Sequence, residues 1–199
     1  EQVATAEGYQ RDPALVINFY NERRKQLLEE KPNRGHELLA ELEKNFHVTV
    51  VTQNIDNLHE RAGSSHIVHL HGELTKVCSS RDPHNPHYIK ELKPEEYEVK
   101  MGDKAGDGTQ LRPFIVWFGE AVPEIETAIQ YVEKADIFVI IGTSLNVYPA
   151  AGLLHYVPRE AEVYLIDPKP VDTHTSRSIH VIQKGASEGV AELKQLLGV

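Results

Sequence analysis

Residues 47–56 read His-Val-Thr-Val-Val-Thr-Gln-Asn-Ile-Asp, a β-branched run that gives way at once to polar side chains. Such a run predicts a short buried strand. In α/β proteins ligands bind beyond the carboxyl ends of the strands, where Gln53, Asn54 and Asp56 fall. These residues are placed to meet the sugar and amide of a nucleotide. Capping of the helix that follows is the other interpretation that they allow.

The rest of the chain extends this pattern. Helical spacing and apolar runs predict helices at Pro13–Glu30, about 34–46 and Ala186–Leu197, and buried strands at Ile137–Ile141 and Val163–Ile166. Alternation of this kind is typical of the α/β class, here a Rossmann-like doubly wound parallel sheet. Between about 74 and 113 the pattern breaks into Ser, Asp, His, Pro and Gly, which predicts a small inserted lobe.

Composition narrows the class of protein. The 199 residues, 40% of them apolar, suit one globular domain with an appendage. The net charge of -9 argues against a nucleic-acid-binding protein and favours a basic partner. The longest apolar stretch is too short to span a bilayer, and the first residues show no basic segment followed by an apolar one, so we expect neither a membrane span nor a signal peptide. Because Cys78 is the single cysteine, we expect a cytoplasmic protein without disulfides or a multi-cysteine metal cluster.

Three further patterns could carry chemistry, and each also has an ordinary structural interpretation. Gly142-Thr-Ser144 at a strand end would admit a phosphate, or would simply form a turn. His69 and His71 are predicted on one strand face, where they could chelate a metal or supply a general base; a hydrogen-bonded strand histidine is the alternative for His69. Tyr20 and Arg23 share a helix face and could hold a carboxylate, unless Tyr20 packs and Arg23 is solvated.

Two extended segments could capture a peptide as an added strand. They are Phe114-Ile-Val-Trp-Phe-Gly-Glu120, which contains the only tryptophan, and Asn146-Val-Tyr-Pro149. Either segment could equally be plain core.

Taken in order, five motifs resemble the signature of the sirtuin family of NAD-dependent protein-lysine deacylases. They are Thr52-Gln-Asn-Ile-Asp-Asn-Leu-His-Glu-Arg-Ala-Gly63, His69-Leu-His-Gly72, Leu111-Arg-Pro113, Trp117-Phe-Gly-Glu120 and Gly142-Thr-Ser144. No single motif decides the matter, but their order and spacing are highly specific. The likeness covers essentially the whole chain, and Lys184-Gly-Ala-Ser-Glu-Gly-Val190 resembles the family's last nucleotide-contacting loop.

The resemblance implies a role for each matching residue, with NAD as the cofactor and His71 as the general base. The implied cofactor contacts are Gln53, Asn54, Asp56, Gly142, Thr143, Ser144, Asp167 and Ala186. The implied contacts to acyl-lysine and its peptide are Ala4, Tyr20, Arg23, Val116, Phe118, Gly119 and Val147. Enzymes of the family's bacterial branch, which also remove acidic acyl groups, carry an Ala and a Tyr-x-x-Arg pair, and Ala4, Tyr20 and Arg23 resemble this set. The resemblance therefore implies that Tyr20 and Arg23 bind the acyl carboxylate.

Three departures from the family pattern modify this expectation. The family's first strand and glycine-rich loop have no counterpart before Glu1, which predicts an abridged chain with weakened NAD affinity and activity. The usual four zinc cysteines are absent, so we expect no metal and a lobe held by packing. Asp167 stands where many relatives have a ribose-binding Asn, and its carboxylate can still accept from ribose hydroxyls.

The sequence therefore predicts a single sirtuin-type catalytic domain over 1–199, with a helical module at about 1–35 and the lobe at about 74–113. Its expected reaction removes acetyl, succinyl or malonyl groups from protein lysines, giving nicotinamide and O-acyl-ADP-ribose. The expected partners are acylated proteins, the expected oligomeric state is a monomer, and neither nucleic acid nor membrane is involved. A non-catalytic NAD or ADP-ribose binding module is the first alternative. A metal-dependent hydrolase built on His69 and His71 is the second.

Overall fold

The computed structural model describes residues 2–143 and 150–199, which form two compact units. The first unit comprises Glu1–Lys31, Gln53–Asn57 and His71–Val122. The second comprises Pro32–Thr52, Leu58–Leu70 and Pro123–Val199. Among the described residues, no helix has the length and apolar character needed to cross a membrane.

The first unit combines two helices with an antiparallel sheet. Its elements are α1 (Ala6–Arg11), α2 (Pro13–Glu29), β3 (Gly72–Ser79), β4 (Lys90–Glu91) and β5 (Leu111–Ile115), with strand order β4-β3-β5. Asp12 caps α2, because its side chain accepts from the Leu15 amide at 3.1 Å. The expected opening by two helices is wrong in one respect, since the six-residue α1 precedes them and is too short to show helical periodicity.

Helix α2 is joined to the inserted lobe by buried polar groups as well as by apolar packing. Ile17 packs with Val77 and Val99 in one cluster. The Asn21 side chain donates to the Val99 carbonyl at 2.7 Å and accepts from the Val99 amide at 2.9 Å. It thus satisfies both main-chain groups of Val99, as a neighbouring strand would. Buried Arg24 donates to the Leu74 carbonyl at 2.8 Å. The lobe therefore has attachments that do not depend on a metal.

The second unit contains the parallel strands. Its elements are α3 (Arg34–Glu41), β1 (Val50–Thr52), α4 (Leu58–Ala62), β2 (Ile67–His69), α5 (Ile125–Val132), β6 (Ile137–Ile141), β7 (Glu162–Ile166), β8 (His180–Ile182) and α6 (Ala186–Leu196). In the described residues these strands form two parallel sheets, ordered β1-β2 and β6-β7-β8. The predicted α/β class is therefore observed, with the parallel strands divided between two hydrogen-bonded sheets instead of one.

The core of the second unit lies between α3, α6 and the sheet β6-β7-β8. Its buried members are Leu38, Tyr164, Ile166, Ile182, Val190 and Leu193. Helix α6 approaches β7 closely at Gly189, where a Cβ would lie 2.2 Å from the Ile166 side chain. This contact fixes the start of α6 relative to the carboxyl end of β7.

Candidate active site

His71 lies in the turn between β2 and β3 and is half-buried. Its Nδ1 is 3.2 Å from the carbonyl oxygen of Gln53. A carbonyl oxygen only accepts hydrogen bonds, so in the neutral ring Nδ1 carries the proton and donates it. The second ring nitrogen, Nε2, then has a lone pair, which a general base requires.

The main chain on both sides of His71 is anchored within the first unit. The Val116 amide donates to the His71 carbonyl at 2.9 Å. Gly72 has a φ of 87°, and a Cβ there would lie 2.1 Å from the Phe114 carbonyl oxygen. Only glycine fits this conformation and this close approach. His71 is therefore fixed beside the extended segment that continues from β5.

The histidines at 69 and 71 have different partners. Strand β2 ends at His69, whose Nε2 is 3.1 Å from Glu60 Oε2, and the residue is 9% exposed. His71 lies beyond the strand end and bonds to the Gln53 carbonyl. The predicted shared face is wrong, because the chain leaves the strand conformation after His69. The two rings therefore have separate partners, Glu60 for His69 and the Gln53 carbonyl for His71.

The polar segment after β1 belongs to the same unit as His71. It contains the expected cofactor contacts Gln53, Asn54 and Asp56. The Leu74 amide donates to the Ile55 carbonyl at 2.8 Å, which ties the segment to β3. The first unit thus holds the expected base together with three of the expected cofactor contacts.

Two expected substrate contacts, far apart in sequence, meet through the main chain. The Phe118 amide donates to the Ala4 carbonyl at 3.0 Å, and Thr5 pairs with Phe118 in a parallel bridge. The Phe118 side chain is 75% exposed. Gly119 has a φ of 84° with open space at its Cβ position, and Val116 is anchored to His71. Residues 116–119 therefore form a fixed segment that presents an exposed aromatic ring.

Tyr20 and Arg23 lie on successive turns of α2 but differ in burial. Tyr20 is 4% exposed, and its hydroxyl oxygen accepts from Trp117 Nε1 at 3.2 Å. Burial raises the pKa of Tyr20, so the phenol stays protonated at neutral pH. Arg23 is exposed, with its guanidinium carbon 5.2 Å from the centre of the Phe19 ring. The pair offers a neutral hydroxyl inside the unit and a cation at its surface.

A partly buried ion pair, which sequence reasoning missed, holds the segment 116–119. Arg112 Nη2 is 3.3 Å from Glu120 Oε1 and donates to the Ile115 carbonyl at 2.8 Å. Its guanidinium carbon lies 3.7 Å from the centre of the Trp117 ring, and Glu120 Oε1 accepts from the Trp117 amide at 2.8 Å. The sequence signal was present, because an Arg and a Glu flank a strongly apolar run.

The second unit carries expected dinucleotide contacts at the carboxyl ends of adjacent parallel strands. Gly142 and Thr143 follow β6, and Asp167 follows β7. The Gly142 amide donates to the Ile166 carbonyl at 2.9 Å. Gly142 has a φ of 62° and open space at its Cβ position, so a phosphate has access to the backbone there.

Asp167 and Ala186 are further expected cofactor contacts of the second unit. The half-buried Asp167 accepts from the Lys169 amide at 2.8 Å through Oδ1. Ala186 is the first residue of α6, at the positive end of that helix dipole. The expected contacts Ser144 and Val147, and the segment Asn146-Val-Tyr-Pro149, lie outside the described residues.

Cys78 does not fit a structural zinc site of the four-cysteine kind. It is the only cysteine, and its Sγ donates to the Pro113 carbonyl at 3.7 Å. Burial raises the pKa of the Cys78 thiol to about 12, whereas a zinc ligand must be a thiolate. Nearby, the Asp107 carboxylate accepts from the hydroxyls of Ser79 at 2.5 Å and Thr109 at 2.6 Å. Hydrogen bonds thus connect the two ends of the lobe.

Comparisons with known proteins agree with this geometry. The Sir2 family model matches residues 1–149. An NAD-dependent protein deacylase of Bacteroides thetaiotaomicron is 93% identical over 197 residues, covering 99% of this chain and 84% of that protein. One of Helicobacter pylori is 47% identical over 192 residues, covering 96% and 81%. A solved Sir2 homologue in complex with NAD has a TM-score of 0.85 at 32% identity, covering 100% of this chain and 77% of that one.

The fold and the site together define an α/β protein of the Rossmann-like type, with parallel strands whose carboxyl ends carry polar and glycine residues. The chain belongs to the Sir2 family. The sirtuin resemblance and the fold class predicted from the sequence are therefore confirmed.

Proposed function

We propose that this chain removes succinyl and malonyl groups, as well as acetyl groups, from protein lysines, giving nicotinamide and O-acyl-ADP-ribose. The coarser part of this statement is established, because the chain is a Sir2-family NAD-dependent protein deacylase by its family and its 93% identical relative. The acyl range and the roles of individual residues are the proposal.

His71 acts as the general base in this proposal. When NAD is bound, it supplies a ribose carbon from which nicotinamide departs as the acyl-lysine oxygen attacks, so the cofactor is consumed. The Nδ1–H of His71 is engaged with the Gln53 carbonyl, which leaves Nε2 to accept a ribose hydroxyl proton. Gly142 has open space at its Cβ position, so in the second unit its backbone suits a phosphate group.

The acidic-acyl part of the proposal rests on one observation: a protonated, buried Tyr20 hydroxyl lies one helical turn from an exposed Arg23. A neutral phenol donates a hydrogen bond to a carboxylate, and a guanidinium donates charge-assisted bonds to it. Ala4 is joined to Phe118, and Tyr20 to Trp117, so both expected pocket residues adjoin the segment 116–119. An acetyl group has no carboxylate and gains nothing from Arg23.

Replacement of Arg23 by Met tests this part directly. Charge-assisted hydrogen bonds are worth about 1.5–3 kcal/mol, and the exposure of Arg23 places it at the lower end. We expect the ratio of kcat/KM for a succinyl-lysine peptide to that for an acetyl-lysine peptide to fall about tenfold. Lys25→Met, which removes an exposed cation from the same helix, is the matched control and should leave the ratio unchanged.

Two outcomes would contradict the proposal at different levels. If Arg23→Met and Lys25→Met have the same ratio as the wild-type protein, the acidic-acyl assignment is wrong. If calorimetry shows tight binding of NAD or ADP-ribose while no peptide releases nicotinamide, the chain acts as a binding module.

A further inference from the structure

The Trp117 indole makes a directional contact with the Tyr20 hydroxyl. The indole N–H is a donor only, so in the 3.2 Å bond the Tyr20 hydroxyl oxygen is the acceptor. The hydroxyl proton of Tyr20 must then point away from the indole. Among the described residues, the indole is the hydrogen-bonding partner found for this hydroxyl.

The surroundings of Trp117 keep its indole in one orientation. Trp117 is 2% exposed, and its amide donates to Glu120 at 2.8 Å. Its ring contacts the Arg112 guanidinium at 3.7 Å and the Tyr9 ring at a centroid distance of 5.3 Å. A buried side chain with contacts of this kind is preorganised, so it can fix a partner group without a further loss of entropy.

We infer that Trp117 is a positioning residue for acyl selectivity: its indole N–H occupies the acceptor side of the Tyr20 hydroxyl and so directs the hydroxyl proton toward the carboxylate of an acidic acyl group. This inference rests on the proposed function and deepens it. Without the indole N–H, the hydroxyl is free to rotate, and part of the phenol population no longer donates to the carboxylate.

Trp117→Phe removes the N–H and keeps an aromatic ring in place. Loss of one neutral hydrogen bond should lower the succinyl-to-acetyl ratio of kcat/KM about 2- to 12-fold. The carboxylate is remote from the reacting atoms, and the loss should therefore appear in KM for the succinyl peptide more than in kcat. A general packing defect would instead reduce both acyl reactions together.

The double variant with Tyr20→Phe separates positioning from packing. Without a hydroxyl on residue 20 there is nothing for the indole to orient, so Trp117→Phe should cause no further change in the ratio. Additive changes in the ratio would overturn the inference. If Tyr20→Phe and Arg23→Met each leave the ratio at its wild-type value, the proposed function itself is wrong. The inference about Trp117, which rests on it, is then wrong as well.

The fluorescence of Trp117 provides a second test that needs no substitution at this residue. Trp117 is the only tryptophan of the chain, so the signal is unambiguous. Saturation with a succinyl-lysine peptide should shift the emission, because the carboxylate strengthens the bond chain through Tyr20. An acetyl-lysine peptide, or the succinyl peptide with Tyr20→Phe, should give a smaller shift. Equal shifts in all three cases would overturn the inference.

Discussion

Removal of the Glu120 carboxylate should weaken the first unit and the segment 116–119 together. The Arg112 side chain is 6% exposed and that of Glu120 20% exposed, so the pair is largely removed from water. Deleting one partner of a buried pair costs about 3–5 kcal/mol, since the remaining charge is uncompensated. Arg112 keeps its bond to the Ile115 carbonyl, so we expect a loss of about 3 kcal/mol for Glu120→Ala.

A graded series of variants checks the physical cause of this loss. Glu120→Gln keeps an acceptor for the Trp117 amide but removes the charge, so it should lose less stability, about 1–2 kcal/mol. Glu98→Ala removes an exposed carboxylate of the same unit and should change stability by no more than about 0.5 kcal/mol. The assay is urea unfolding followed by Trp117 fluorescence, which reports from within the network. The reasoning is refuted if Glu120→Ala unfolds at the same urea concentration as Glu98→Ala.

Two further predictions concern the inserted lobe. Hydrogen bonds from Ser79, then Thr109, hold the pKa of Asp107 at about 2, below its usual range. The stabilisation that these hydrogen bonds provide is complete above about pH 3.9 and is lost as the pH falls through 2. The difference in Tm between the wild-type protein and Asp107→Asn should therefore shrink as the pH is lowered from about 3.9 to 2. A difference in Tm that stays constant over this range would contradict the assignment. Asn21→Leu leaves both main-chain groups of Val99 unpaired, so urea unfolding should show a loss of about 2–4 kcal/mol, and an unchanged midpoint would count against the strand-like pairing.

The elements that the sequence predicted correctly are those with strong local signals. The apolar run at Ile137–Ile141 is strand β6, and the periodic segment from Pro13 is helix α2, which ends at Glu29. The final helix begins at the predicted Ala186 and ends at Leu196. In each case periodicity, an apolar run or a capping residue acts over a few neighbouring positions, so one segment carries its own signal.

The elements that were missed depend on distant partners. Strand β8 has three residues, of which only Ile182 is buried, so no apolar run marks it. The irregular lobe predicted at about 74–113 contains most of strand β3, which pairs with β4 and β5 through residues more than ten positions away. Pairing across such distances is decided by the whole fold and not by the segment.

The features of the candidate site likewise differ in whether the local sequence indicates them. Strand ends and motif order predict roles for His71, Gln53 and Gly142 that stay proposals; the structure places His71 Nδ1 3.2 Å from the Gln53 carbonyl oxygen and gives Gly142 a φ of 62°. The bond between Trp117 and Tyr20 joins residues 97 positions apart, so neither residue's local sequence indicates it. The difference in burial between Tyr20 and Arg23 likewise follows from tertiary packing of α2.

Mass spectrometry of the products made from a succinyl-lysine peptide and an acetyl-lysine peptide, each incubated with NAD, tests the central claim most directly. The account predicts free lysine, nicotinamide and the matching O-acyl-ADP-ribose from each peptide, with succinyl removed at least as well as acetyl. It also predicts that His71→Asn forms neither free lysine nor O-acyl-ADP-ribose, because both depend on the general base. Free succinate released without nicotinamide, or acetyl removal alone, would contradict it.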